Sequence, residues 1–189
     1  MTARFRYYTA TTLDGFLADD RDDLGWLLRQ PIDENGPMNY TDFIGDIGVV
    51  VMGATTYRWV VDHEVGDGKP WPYTTPTFVF THRDLDAVAP SIRFVSGAPA
   101  DLRETLLDAA GGKDIWVVGG GDLAAQFAEA AMLDEVIVNI APVMLGSGRP
   151  LFTRPADLRL IEHGRNEAFV CARYEVVGPA VADGVGAAT

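Results

Sequence analysis

The chain has 189 residues, 48% of them apolar, and a formal charge of -12, which suits one α/β domain with a sizeable core and leaves little room for a second. Its one cysteine, Cys171, excludes an internal disulfide and a metal site of several thiolates, and His63 and His163 lack metal-ligand spacing, so no metal is expected; a cytoplasmic setting is the simplest. The charge excludes a surface built to neutralise nucleic-acid phosphates, no window approaches the about 20 apolar residues of a membrane span, and MTARFRYYTATTLDGF has no signal-type apolar run.

In chain order, FRYYTATTL (5–13) is β-branched and aromatic and predicts a strand ending at the turn-like Asp14-Gly15, where Asp14 is read as serving its turn. Tyr40, Phe43, Ile44 and Ile47 fall at i, i+3, i+4 and i+7, the stripe of a helix over about 37–46. IGVVVM (47–52) is a continuous apolar strand, as expected of burial on both faces, and a helix should follow Gly53. GDGKP (66–70) has neither a preceding strand nor a Ser or Thr after its Lys, so it is read as a surface loop, and Trp71 either packs a loop near the cleft or shapes its mouth. PTFVFT (76–81) and IRFVS (92–96) add two strands. Between Pro99 and Gly111-Gly112 lies a helix opened by Pro and closed by Gly. DIWVVG (114–119) leads into a helix over 122–132, DEVIVNIAP (134–142) is a further strand, LGSGRP (145–150) a turn, and DLRLIEHG and AFVCARYEVVG a closing hairpin. Residues 1–178 make the domain, and the Gly/Ala-rich 179–189 a frayed tail.

This order predicts a three-layer αβα sandwich whose central, mostly parallel sheet has helices on both faces and an antiparallel C-terminal edge. Ligands bind such sheets beyond the carboxyl ends of the strands. Three loops leave that edge: GATTYR after 47–52, THRD after 76–81 and GGGD after 115–118. Glycines at a helix start let an anion reach free N–H groups. Thr55 and Thr56 add hydroxyls, and Thr81, His82 and Arg83 form the loop whose His and Arg suit a ribose or its phosphate. Each loop alone reads equally as a tight or solvated turn. Their agreement on one edge points to a dinucleotide.

TLDGF (12–16), VVMGATTY (50–57), VFTHR (79–83), IWVVGGGDLAAQF (115–127) and IAPVMLGSGRPLF (140–152) resemble, in order, the dihydrofolate reductase-like superfamily, and within it the reductase domain of riboflavin biosynthesis and its stand-alone relatives. The resemblance implies an NADPH-dependent reductase with an eight-stranded mixed sheet, often a homodimer, and a cis peptide joining Gly119 to Gly120. It also implies that Gly121, Asp122 and Leu123 open a helix toward the cofactor phosphates, that the backbones of Ala10 and Leu17 meet the nicotinamide carboxamide, and that Gly53 to Thr56 line the pyrophosphate and adenosine. Ala54 departs from the Arg usual there. Arg83 can substitute for it, and NADH is not excluded.

For the reaction, Asp23 precedes Trp26 by three residues, the spacing of an acid and a Trp on the corresponding short helix of dihydrofolate reductases. Asp22 and Asp23 equally suit the negative start of a helix. By the same resemblance Asn139, which interrupts the apolar VIVNIA, contacts the substrate ring, although a backbone or another core polar group would satisfy it too. LGSGRPLF is read either as a turn or as part of the substrate end or dimer contact. The chain lacks the DDPxLTxR stretch of the riboflavin domain and the longer Trp-bearing loop of dihydrofolate reductase, so a small heterocycle or carbonyl compound is expected, and the resemblance makes the riboflavin-pathway pyrimidine, 5-amino-6-(5-phosphoribosylamino)uracil, the nearest named candidate. The alternative is a nucleotide-binding regulatory or scaffold protein that kept the cleft without catalysis.

Overall fold

A strand that is apolar at consecutive positions needs cover on both faces, and the chain provides it by sending its helices to opposite sides of one sheet. A computed structural model describes residues 3–179. In chain order the elements are β1 (Phe5–Thr12), β2 (Phe16–Ala18), α1 (Gly25–Leu28), α2 (Tyr40–Gly45), β3 (Ile47–Gly53), α3 (Ala54–Val60), β4 (Thr77–Phe80), β5 (Ile92–Val95), α4 (Arg103–Ala110), β6 (Asp114–Gly119), α5 (Gly121–Glu129), β7 (Leu133–Ala141), β8 (Arg149–Pro150), β9 (Ala156–Asn166) and β10 (Phe169–Pro179). The main sheet has eight strands in the order β5-β4-β3-β6-β1-β7-β10-β9. From β5 to β7 all neighbours are parallel, and β10 and β9 close the edge antiparallel, as expected. Among the described residues no helix is long and apolar enough to cross a membrane.

Alternation along the strands divides the core in two. Val49, Val51, Phe5, Tyr7, Ile115 and Val117 pack under α4 and α5 against Leu106, Leu123 and Phe127. Val50, Met52, Tyr8 and Trp116 point the other way, toward Phe43 of α2 and Tyr57 of α3. In α5 the alanines 124, 125 and 128 are buried with Leu123 and Phe127, and these small side chains let the helix lie close on the sheet.

Several boundaries differ from the sequence expectation. Helix α5 stops at Glu129 rather than 132 because Ala131 takes φ 51 and the Met132 N–H returns to the Phe127 carbonyl at 2.9 Å, a left-handed helix stop built without the usual glycine. Helix α2 begins at Tyr40, where the Asn39 side chain accepts the Asp42 N–H at 2.8 Å. Pro179 pairs with Ala156 and so belongs to β10 rather than to the tail. Residues 180–189 of the expected tail lie outside the described residues.

The LGSGRP segment is also more than a turn: β8 pairs with β2 in a separate two-stranded sheet. Gly148 makes this approach possible, since a Cβ there would stand 2.1 Å from the Ala18 carbonyl oxygen. Asp14 reaches beyond its own turn. Its carboxylate accepts the Thr12 hydroxyl at 2.5 Å, the Gly146 N–H at 2.7 Å and the Leu145 N–H at 3.0 Å. At the other end of the sheet, Arg6 (7% exposed) and Glu135 (3%) are paired at 2.6 Å, and Asp114, Arg4 and Arg173 complete the network.

Breaking a buried pair leaves a charge without compensation. Glu135→Gln is therefore expected to lower the unfolding free energy by about 3 kcal/mol in urea denaturation; a loss of about 1 kcal/mol or less, as for an exposed pair, would contradict the burial argument. The Asp14 carboxyl is held below its ordinary value chiefly by the Thr12 hydroxyl and then by the Gly146 N–H. A lowered carboxyl favours the fold above its unfolded value of 3.8 and loses that contribution as pH falls through the lower folded value. In thermal melts Asp14→Asn should destabilise the protein at pH 7, and the gap to wild type should close as the solution is acidified below the carboxylate range. A gap that persists there would contradict the tie.

Candidate active site

Because β1, β3, β4, β6 and β7 run parallel, their carboxyl ends open on one side of the molecule, and a cleft of about 1490 Å³ lies there. The three expected loops meet in it. Gly53, Ala54, Thr55 and Thr56 come from the β3–α3 junction, Thr81, His82 and Arg83 from the end of β4, and Gly119, Gly120, Gly121, Asp122 and Leu123 from the β6–α5 junction. Ala10 of β1 and Leu17 of β2 also line it.

The three consecutive glycines have three different reasons. Gly119 has φ 152 and is joined to Gly120 by the expected cis peptide. Gly121 touches protein: a Cβ there would lie 2.3 Å from the Pro150 oxygen and 2.6 Å from the Leu151 oxygen, so the start of α5 rests on the backbone at β8. Gly120, the N-cap, would place a Cβ in open space, and no side chain caps the helix there. Its bare face and the free first-turn N–H groups turn to the cleft. The Asp122 carboxylate is engaged by Gln126 at 2.7 Å, Thr153 at 3.2 Å and Arg154 at 3.3 Å.

At the β4 end, the Thr81 hydroxyl accepts the Arg83 N–H at 2.9 Å and shapes the loop, which leaves His82 and Arg83 exposed. Sequence reasoning missed Arg58, which also lines the cleft one helical turn after Ala54 on the same face of α3. Neither Arg58 nor Arg83 makes an ion pair among the described residues. The spacing from Ala54 was the signal that could have found it.

Asp23 stands at the rim of the cleft, exposed, and its carboxylate accepts the Gly25 N–H at 2.6 Å at the start of α1. This single contact is a turn leading into α1, whose N-cap is Leu24 with no side-chain cap, so neither Asp22 nor Asp23 caps the helix as the alternative reading expects, and the Asp23 carboxylate stays in water. Asp22 takes φ 64 and grips Arg149 of β8 through two hydrogen bonds of 2.6 and 3.1 Å. Trp26 lies behind the cleft wall, 4% exposed among Ala141, Phe169 and Cys171, with no partner for its Nε1 among the described residues.

Asn139 is buried on β7 yet lines the cleft, in register with Ala10. Around it is an aromatic wall that the sequence reading passed over: Tyr8, Tyr40, Tyr73 and Trp116. Tyr40 and Tyr73 meet the Trp116 ring with centroids at 5.7 and 5.6 Å, and the Trp116 Nε1 donates to the Tyr8 carbonyl at 3.0 Å. Trp71 does not line the cleft but packs between Tyr57 and Tyr73. Burial pushes the Tyr8 hydroxyl up to about 12 against the opposing pull of Asn139, and raises Tyr40 and Tyr73 too. All three phenols are neutral at physiological pH. The cleft thus joins a part with backbone amides and unpaired arginines, suited to an anionic ligand, to an uncharged aromatic part, suited to a flat ring.

Residues 5–169 match the RibD C-terminal domain family. The uncharacterised protein YwjB of Bacillus subtilis (strain 168) is 32% identical over 158 residues, which is 81% of this chain and 86% of that protein. Among solved structures, a Shewanella sp. PV-4 protein assigned to riboflavin biosynthesis superposes with a TM-score of 0.78 at 24% identity, covering 92% of this chain and 98% of that one. The Thermotoga maritima diaminohydroxyphosphoribosylaminopyrimidine deaminase/5-amino-6-(5-phosphoribosylamino)uracil reductase superposes with 0.61 at 15% identity over 95% of this chain, which spans 57% of its length. At these identities the structural likeness speaks for the fold, a dihydrofolate reductase-like one. The family match spans far more than half of the sequence, and on it the chain belongs to the RibD C-terminal domain family.

Proposed function

We propose that the protein is a reductase that uses NADPH to deliver a hydride to a small flat heterocycle. The observation that carries this reading is Gly120: neither backbone conformation nor packing requires a glycine there, so its bare Cα is explained by a ligand coming against the uncapped start of α5. The N–H groups of Gly121, Asp122 and Leu123, with the Thr55 and Thr56 hydroxyls, would hold the pyrophosphate. The backbones of Ala10 and Leu17 would take the carboxamide. Arg58, His82 and Arg83 would hold the adenosine end, where Ala54 offers no cation. When bound, the cofactor supplies the hydride. The aromatic wall would flatten the substrate against it and exclude water, with Asn139 holding the ring.

The Thermotoga maritima protein's name makes the phosphoribosylamino uracil the first substrate to try. In this reading Asp23, at the rim, steers a proton from solvent while Trp26 supports the wall behind it. Its exposure favours the second reading, a nucleotide-binding protein without turnover, and oxidation of bound NADPH by the uracil separates the two. The expected homodimer has a candidate surface in β9, an edge strand with Leu158, Leu160 and Ile161 each about half exposed.

NADPH fluorescence titration tests the cofactor site. Gly120→Ala should weaken NADPH at least about tenfold with an unchanged melting temperature, whereas Gly121→Ala should lower the melting temperature because the added methyl meets the Pro150 backbone. Arg83→Ala combined with Arg58→Ala should weaken NADPH about tenfold and leave NADH unaffected. Full NADPH affinity in Gly120→Ala would overturn the assignment.

A further inference from the structure

Tyr8 and Asn139 stand on neighbouring parallel strands. The register that sets Tyr8 beside Ile137 puts Asn139 two residues further along the same face, within diagonal reach of a long side chain. Both line the cleft, yet they are only 8% and 5% exposed. A phenol has one hydrogen to donate, and Tyr8 donates it to the Met38 carbonyl at 2.9 Å. Only lone pairs remain on its oxygen, so an Asn139 amide that meets it would do so through an N–H, the contact that opposes the rise of the Tyr8 hydroxyl. The Asn139 Oδ1 and its second N–H would then be left for the cleft, an acceptor next to a donor.

The Met38 carbonyl is held in turn. Met38 has φ 55, uncommon for a residue with a side chain. The turn that places it is clamped from the far edge of the sheet by Asn166, the last residue of β9 and 2% exposed. Asn166 accepts the Asp33 N–H at 2.9 Å and donates to the carbonyls of Asp33 and Pro37 at 3.0 and 3.4 Å. A Cβ on Gly36 would stand 2.6 Å from the Asn166 Nδ2, so the turn closes on that side chain only with glycine. Asn39 then caps α2 and donates to the Gly36 carbonyl at 3.0 Å. A fixed chain therefore runs from Asn166 through the 33–38 turn to the Tyr8 hydroxyl.

We infer that Tyr8 is a positioning residue for Asn139: its oxygen, pinned at the Met38 carbonyl, fixes which edge of the Asn139 amide faces a ring in the cleft. The inference rests on the reductase reading for the ring itself, but the orientation of the amide is a property of the protein alone. Tyr8→Phe keeps the aromatic ring stacked on Phe43, whose centroid is 4.4 Å away, and removes only the hydroxyl.

Two measurements on the full-length protein decide it. In ¹H–¹⁵N spectra the Asn139 side-chain amide should show one slowly exchanging proton in wild type, and Tyr8→Phe should speed that exchange at least about tenfold while the backbone amides of β1 and β7 keep their protection. With the protein saturated in NADP⁺, calorimetric titration of 5-aminouracil as probe should weaken roughly tenfold in Tyr8→Phe and at least as much in Asn139→Ala, with NADP⁺ affinity unchanged in both. Equal amide exchange in wild type and Tyr8→Phe, or equal probe affinity, overturns the inference. No probe binding to wild-type protein that binds NADP⁺ also overturns it and spares the reductase reading. Failure to bind NADP⁺ removes that reading, and the amide exchange alone then decides the role of Tyr8.

Discussion

The start of α5 rests on the backbone of Pro150 and Leu151 with no room for a methyl group between them, and the organisation of the cleft follows from this contact. It fixes the helix whose first amides face the cleft. It also holds the β8 segment that pairs with β2, which carries Leu17 on the opposite wall. Asp14 ties the same segment to the end of β1, and Arg149 ties it to Asp22. Both walls are therefore referred to one short stretch of backbone, and the width of the cleft is set by glycines at 121 and 148 rather than by the sheet alone.

Charge is organised on the same local scale. An overall charge of -12 works against any diffuse attraction of an anion, so the arginines that face the cleft matter by position. Arg149 is neutralised by Asp22, whereas Arg58 and Arg83 keep their charge unpaired. Two acidic residues of the cleft are engaged by protein groups: Asp122 by Gln126, Thr153 and Arg154, and Asp23 by the Gly25 N–H. The phenols of the aromatic end are neutral. Such a division lets one cleft accept a polyanion at one end and a neutral ring at the other.

How much was legible in the sequence depended on the range of the signal. The continuous apolar run at 47–52 and the glycine-to-helix transition at 119–122 state a buried parallel strand and a helix start in local chemistry, and the loops built on them meet as expected. The stop of α5 at Glu129 was illegible because the left-handed position is held by Ala131, where glycine is the usual mark. The pairing of β8 with β2 was illegible because two residues carry no period. The aromatic wall combines Tyr8, Tyr40, Tyr73 and Trp116 from four distant segments, and nothing local marks any of them as lining a cleft. Asp23 illustrates the opposite case: a spacing that is present in the sequence, while the environment that would make a carboxylate an acid depends on burial that spacing does not encode.

The central claim is that the Gly120 face of α5 and the aromatic wall form two halves of one reductase site. The most direct measurement is a crystal structure of the protein with NADPH. Density for the pyrophosphate against Gly120 and Gly121, with the nicotinamide between Ala10 and Leu17 and its ring toward Asn139, is the expected result. A cofactor bound elsewhere on the surface, or a nicotinamide turned away from Tyr8 and Asn139, would contradict the claim.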